Sequence, residues 1–245
     1  MPRYRLIIEY DGQPFVGWQR QDNGTGVQKV LEDAVKSLSG EEAVVYGAGR
    51  TDAGVHALGQ VAHVDLGQVL PTDTVRDGLN AHMRPHPVAV LAVDEVADDF
   101  HARFSATSRT YLYRIVNRRA PVALKKGHVW WVPVPLDAAA MDDAAQVLIG
   151  QHDFSSFRAT LCQAKSPVKT LDRLNVETHD GEIHVHAHAR SFLHNQVRIM
   201  VGTLRLVGEG KWTRDDLRKA LEAQDRTVAG QTAVAEGLYL THVGY

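Results

Sequence analysis

Two hydrophobic periods take turns along this chain, and their order limits the fold more than any single residue does. Residues 5–10, with Leu6, Ile7 and Ile8, read as a strand, and Asp11-Gly12 follows as a turn signal. Thr25-Gly-Val-Gln28 has the form of a capping box. Val27, Val30, Leu31, Ala34 and Leu38 then recur at helical spacing until Gly40 stops them. Residues 43–46 and 59–66 read as strands, 72–81 as a short helix and 88–96 as another strand. The first hundred residues therefore run strand, helix, strand, strand, helix, strand, which is the split βαβ order of a ferredoxin-like layer.

The second half repeats the theme loosely. Residues 110–117 alternate as a strand, and Asp137 can cap a helix that runs to about 149 before Gly150. Residues 171–179 and 182–190 form a hairpin about Asp180-Gly181. Residues 192–207 are apolar at helical period, and Gly208 follows them. Thr213-Arg-Asp-Asp216 opens a helix to about Ala223, and 237–243 is a closing strand. The expected fold is α+β: two ferredoxin-like or RRM-like mixed α/β domains, 1–105 and 106–245, with largely antiparallel sheets and an active-site cleft between them.

Composition permits this. With 245 residues and 44% hydrophobic residues, two cores of about 100–120 residues each can form. The net charge of −2 is not that of a strongly basic nucleic-acid binder, but distribution matters more than the total. No acidic residue lies between Asp99 and Asp137, while Arg103, Arg109, Arg114, Arg118, Arg119, Lys125 and Lys126 all do. Such a run can be a solvated face or a stripe that tracks phosphates. Cys162 is the only cysteine, which excludes an intrachain disulfide and a cysteine-based zinc site. The N-terminal segment lacks the apolar core of a signal peptide, and no apolar stretch approaches the roughly 20 residues of a membrane span. A cytoplasmic protein without a membrane partner is expected.

Three segments carry chemistry. The first is Tyr46-Gly-Ala-Gly-Arg-Thr-Asp-Ala-Gly-Val-His-Ala57, which sets one carboxylate, Asp52, among Gly47, Gly49 and Gly54, with Arg50 and His56 beside it. It can be an ordinary turn in which Asp52 bonds a nearby N–H. It can also present a reactive carboxylate to a large ligand. Glycoside hydrolysis generally needs a pair of carboxylates, and no second one lies within the segment. A single carboxylate suits nucleophilic catalysis without an activated water.

The second segment is Ser108-Arg-Thr-Tyr-Leu-Tyr-Arg114, where Arg109, Tyr111 and Tyr113 share one strand face. Those tyrosines can be strand-core residues, or a ring for a base to stack on beside a phosphate-binding arginine. The third is Ser191-Phe-Leu-His-Asn-Gln-Val-Arg-Ile-Met-Val-Gly202, which places Arg198 among apolar residues. It either snorkels to solvent or needs a buried partner.

The first segment resembles, almost letter for letter, the signature of the tRNA pseudouridine synthase A family. Phe100-His-Ala-Arg-Phe-Ser-Ala106, Gly150-Gln-His-Asp-Phe-Ser-Ser-Phe157 and Glu236-Gly-Leu-Tyr-Leu240 also look like family segments. The resemblance implies cofactor-free isomerisation of uridine to pseudouridine at positions 38, 39 and 40, in the anticodon stem-loop of tRNA, by a homodimer. It makes Asp52 the nucleophile, Tyr111 the residue against the target base and Arg198 the partner of Asp52. Arg50 would help admit a flipped nucleotide, since a base must leave the stack before chemistry reaches it. His56, Arg109, Arg114, Arg118 and Arg119 are expected as RNA contacts. The alternative is a tRNA-binding module without catalysis; a nucleoside hydrolase would need a further acid or base.

The chain departs from the family pattern at Asn195-Gln196, at Val234, where a proline is common, and at Arg84-Pro-His-Pro87. His184, His186 and His188 alternate on one strand face, and three imidazoles can bind zinc. Same-face neighbours on one straight strand stand roughly 6.6 Å apart, an awkward spacing for a single ion. No metal is expected.

Overall fold

A computed structural model describes all 245 residues. Ten strands and five α-helices give a mixed α/β fold with mostly antiparallel pairing. The chain divides into two compact units, Met1–Thr107 with Tyr239–Tyr245, and Ser108–Leu238. None of its helices is long and apolar enough to cross a membrane.

In the first unit β1 (Arg3–Tyr10), α1 (Val27–Ser39), β2 (Tyr46–Gly47), β3 (His56–Asp65), α2 (Thr72–His82) and β4 (Val88–Val96) follow one another. β1 is central, antiparallel to β4 on one side and to β3 on the other. β2 pairs with one end of β3, opposing Tyr46 to His63. β10 (Leu238–Gly244) runs parallel to its other end, opposing Tyr239 to His56. The last seven residues thus lie in the first unit, although their position in sequence placed them with 106–245. Nothing in the period of a strand specifies which neighbour it will pair with.

Alternation along β1 buries Tyr4, Leu6, Ile8 and Tyr10, and register sets the first three against Val64, Ala62 and Gln60. Helix α1 buries Val27, Val30, Leu31, Ala34 and Val35. Each of the valines and the leucine stabilises the fold by about 1.5–3 kcal/mol. The expected capping box is absent: α1 starts from Gly26, with no side-chain cap. Gln28 instead donates to Glu32 and to the Val45 carbonyl. Gly40 ends the helix at φ 77°, its N–H donating to the Lys36 carbonyl.

The second unit contains β5 (Ser108–Asn117), β6 (Trp130–Val132), α3 (Ala138–Ala145), β7 (Gly150–Asp153), β8 (Val168–His179), β9 (Glu182–Ala189), α4 (Gln196–Gly208) and α5 (Arg214–Glu222). Its strands lie in the order β6-β5-β9-β8-β7, with only β6 parallel to its neighbour. The β8–β9 hairpin turns on Asp180 and Gly181, both left-handed, as a two-residue type I′ turn requires. Asp137 caps α3 and Thr213 with Asp216 closes a full capping box on α5, as their spacing predicts. β6 and β7, of three and four residues, are too short to show a period. α4 begins at Gln196 rather than 192, because Asn195 sits at φ 61° and takes the chain out of helical geometry.

Candidate active site

The Asp52 loop belongs to the first unit, and backbone contacts hold it. Gly17 forms an antiparallel bridge with Asp52. The Trp18 N–H donates to the Thr51 carbonyl (3.0 Å), and the Val55 N–H donates to the Asp52 carbonyl (3.1 Å). The hydroxyls of Tyr10 and Thr51 hydrogen-bond in the interior at 2.8 Å. Gln60 donates through its amide to the Gly49 carbonyl (2.9 Å).

Close approach explains two of the glycines. Gly17 has φ 115°, and a Cβ there would lie 2.6 Å from the Thr51 oxygen. At Gly47 a Cβ would fall 2.5 Å from the Trp18 ring. Gly49 differs: nothing lies within 4 Å of the space a Cβ would fill. By period and turn chemistry alone, residues 10–18 are only a strand end and a turn. A tryptophan flanked by glycine was the signal that it serves the loop.

Asp52 is half-buried, whereas Arg50 is exposed and forms no hydrogen bond or ion pair. The loop therefore offers an unneutralised cation two residues from its carboxylate. His56, expected as an RNA contact, is 1% exposed. The Gly12 N–H donates to its Nδ1 at 3.0 Å, and its ring stacks on Tyr239 at 4.6 Å. Asp11 Oδ1 lies 3.1 Å from the same nitrogen, so Nδ1 accepts from Gly12 when it is unprotonated and donates to Asp11 when it carries the proton. The placement is that of a ring supporting the loop from inside.

In the second unit β5 presents Tyr111, half-buried, directly opposite Ala187 of β9. Phe192 meets the Tyr111 ring edge-to-face, with centroids 5.2 Å apart. Tyr113, on the same strand face, is fully buried and donates to the Val234 carbonyl (2.7 Å). Burial pushes its pKa well up, against the opposing influence of Arg198. The ring fits because residue 237 is glycine; a Cβ there would lie 2.7 Å from it.

Arg198, in the first turn of α4, donates through Nε to the Ala233 carbonyl (2.8 Å) and through Nη1 to Asn195 Oδ1 (2.9 Å). Residues 191–195, which stay out of the helix, thus carry both the ring against Tyr111 and the acceptor for Arg198. Neither Phe192 nor Asn195 has a role in the site that the sequence alone specifies. The departure at Asn195 from the family pattern was the available signal.

The remaining expected RNA contacts differ in what holds them. Arg114 makes a two-pronged pair with Glu182 at 2.8 and 2.9 Å. Its charge is neutralised there, so it is the least suited of the set to phosphate. Arg109 donates to the Arg190 carbonyl, and Arg118 to the carbonyls of Ala120 and Pro121. Arg119 is exposed and has no hydrogen-bond or ion-pair partner. In the first unit Phe104 is 76% exposed, with the Arg103 guanidinium 5.7 Å from its ring centre.

Comparison with known proteins bears on these residues. A family model described as tRNA pseudouridine synthase matches residues 6–105 and 144–245. Asp52 and Arg198 lie within the matched spans, and Tyr111 outside them. Full-length relatives cover all three. The chain is 65% identical over its whole length to tRNA pseudouridine synthase A of Paramagnetospirillum magneticum, covering 96% of that protein. It is 60% identical to the protein of the same name from Parvibaculum lavamentivorans and 62% to that from Rhodospirillum centenum, covering both chains completely in each case.

Proposed function

The chain belongs to the tRNA pseudouridine synthase family, and from that premise we propose which of its residues isomerise uridine to pseudouridine in tRNA. Asp52 is the nucleophile. The observation that carries this role is the loop itself: its backbone is pinned by Gly17, Trp18 and Gln60, and its neighbour Thr51 by Tyr10. A carboxylate on a loop so constrained keeps its position while a substrate enters, and positioning contributes much of a rate enhancement. Arg50, without a partner of its own, is the cation for the backbone of a flipped nucleotide.

The reaction breaks the C1′–N1 bond and forms C1′–C5. A proton leaves C5 and N1 ends with one, so no water is consumed and no electrons are exchanged. Asp52 attacks either C1′ or C6 of the uracil. Tyr111, braced by Phe192, packs against the target base. Arg198 supplies the counter-charge for the nucleophile, its guanidinium oriented by Ala233 and Asn195. Arg118 and Arg119 suit phosphate contacts, and Phe104 with Arg103 suits an unstacked base. Uridines 38, 39 and 40 of the anticodon stem-loop as targets, a homodimer, a cytoplasmic setting and two ferredoxin-like layers complete the reading, all supported by the family resemblance.

Asp52→Ala tests it. Tritium release from C5-labelled uridine in tRNA should fall by at least about 10⁴-fold, the scale seen when a nucleophile is removed. The affinity for tRNA should change less than about threefold, since phosphate contacts dominate it. Unchanged tritium release would remove Asp52 from the chemistry. Free uracil as the product would favour a hydrolase, and a wild-type chain that binds tRNA without releasing tritium would favour a binding module.

A further inference from the structure

Strand β9 alternates strictly. Ile183, Val185, Ala187 and Ala189 point to the core, and His184, His186 and His188 to the opposite face. Register then sorts the three imidazoles. His188 opposes Thr110 of β5, whose hydroxyl lies 2.9 Å from its Nδ1. His184 opposes Glu177 of β8, and Glu177 Oε1 reaches diagonally to His186 Nε2 at 3.1 Å. Glu177, His184 and His186 can each offer one donor atom such that all lie within 4.8 Å of one another. The cluster therefore differs from the one that alternation on a single strand suggests: a carboxylate from the neighbouring strand takes the place of His188.

We propose that Glu177, His184 and His186 form a binding site for a divalent transition-metal ion of the zinc class. In a tetrahedral site with bonds of about 2.0–2.1 Å, donors stand roughly 3.3 Å apart. Glu177 and His186 already meet that spacing, and side-chain rotation brings in the third donor. His184 also has the outer partner that a metal-bound imidazole needs. Its Nε2 lies 3.2 Å from Glu182 Oε2, which leaves Nδ1 for the ion.

Glu182 is itself held by Arg114 and Lys125, so it orients His184 rather than coordinating. The other groups facing the cluster are Arg173, which donates to Asn175, and His179, whose ring lies 5.0 Å from that of His184. His186 is the sole partner of Glu177, whose carboxylate is therefore not neutralised by a cation. The ion takes the place of the proton that His186 Nε2 directs at Glu177, the neutral ring carrying its proton on Nδ1 instead, and His179 or water completes the shell. Two imidazoles and one carboxylate favour Zn²⁺, Co²⁺ or Ni²⁺ over Mg²⁺.

Untagged full-length protein is titrated with Zn²⁺ by calorimetry and with Co²⁺ by visible absorption. One ion per chain should bind, with the spectrum of a four-coordinate Co²⁺ site, and Mg²⁺ should not compete. Glu177→Gln and His186→Gln should each weaken Zn²⁺ binding at least tenfold, and His188→Gln less than twofold. All three variants should retain pseudouridine formation. Absence of a one-to-one Zn²⁺ site, or a loss in His188→Gln equal to that in His186→Gln, overturns the proposal.

Discussion

The two units hold their polar groups by opposite means. Around Asp52 the first unit uses main chain: a bridge to Gly17, a carbonyl taken by Trp18 and a glycine whose Cβ would collide with Thr51. The second unit relies mainly on side chains. Arg198 is oriented by Asn195 as well as by the Ala233 carbonyl, Tyr111 by Phe192, and Arg114 by Glu182. A backbone-held loop keeps its place without relying on the bonds of its reactive side chain. A side-chain network fixes the charges themselves, and with them the response to pH.

That difference is open to attack through Glu182 and His63. Glu182 is 3% exposed. Burial pushes its pKa up, but hydrogen bonds from Arg114, Lys125 and His184 outweigh this and bring it down from 4.5 to about 2. Between those values the unfolded chain takes up a proton that the folded one refuses, so stability falls as pH drops from 4.5 through about 2.

His63, inside the first unit, accepts from the Ala102 N–H. Burial foremost, then the charges of His101 and Arg3, lowers its pKa from 6.5 to about 4. Its contribution is complete above 6.5 and is lost as pH falls through about 4.

The largest expected effect is that of Glu182→Gln. It should cost about 3 kcal/mol at neutral pH, near the lower bound for a broken buried pair because Lys125 is half exposed. It should also flatten the acid limb below pH 4.5. His63→Asn, which keeps an acceptor for Ala102, should flatten only the limb between 6.5 and 4. Urea unfolding across a pH series measures both, and an acid limb unchanged in Glu182→Gln would break the contrast between the units.

Gly17→Ala comes next. Left-handed strain and the contact with Thr51 should cost about 1–3 kcal/mol. Displacement of the loop should lower the rate of pseudouridine formation by about 10²-fold. Gly49→Ala is its control: with no neighbour within 4 Å, its stability should stay within about 0.5 kcal/mol of wild type. A fall in rate without a fall in melting temperature would mark Gly49 as the point where substrate approaches.

The smallest effect is expected at Val234. Its φ of −59° and ψ of 151° are those of a proline, and its N–H donates no hydrogen bond. Val234→Pro should therefore be neutral or raise stability by up to about 1 kcal/mol, as thermal unfolding would register. A loss would mean that the Tyr113 and Arg198 contacts to this strap depend on its freedom.

Much of this was legible in the letters. Local period and turn chemistry located β1, α2, β4, β5, the β8–β9 hairpin and the capping boxes or caps of α3 and α5, because each depends on residues a few positions apart. The string around Asp52 is long enough to identify a family by itself. Tertiary structure decided what depends on partners distant in sequence. It returned β10 to the first unit, placed Gly17 and Trp18 beneath the Asp52 loop, enclosed His56 and spent Arg114 on Glu182. It also exchanged His188 for Glu177 in the imidazole cluster. Period tells which face a side chain takes. Only the register of one strand against the next tells what that face will meet.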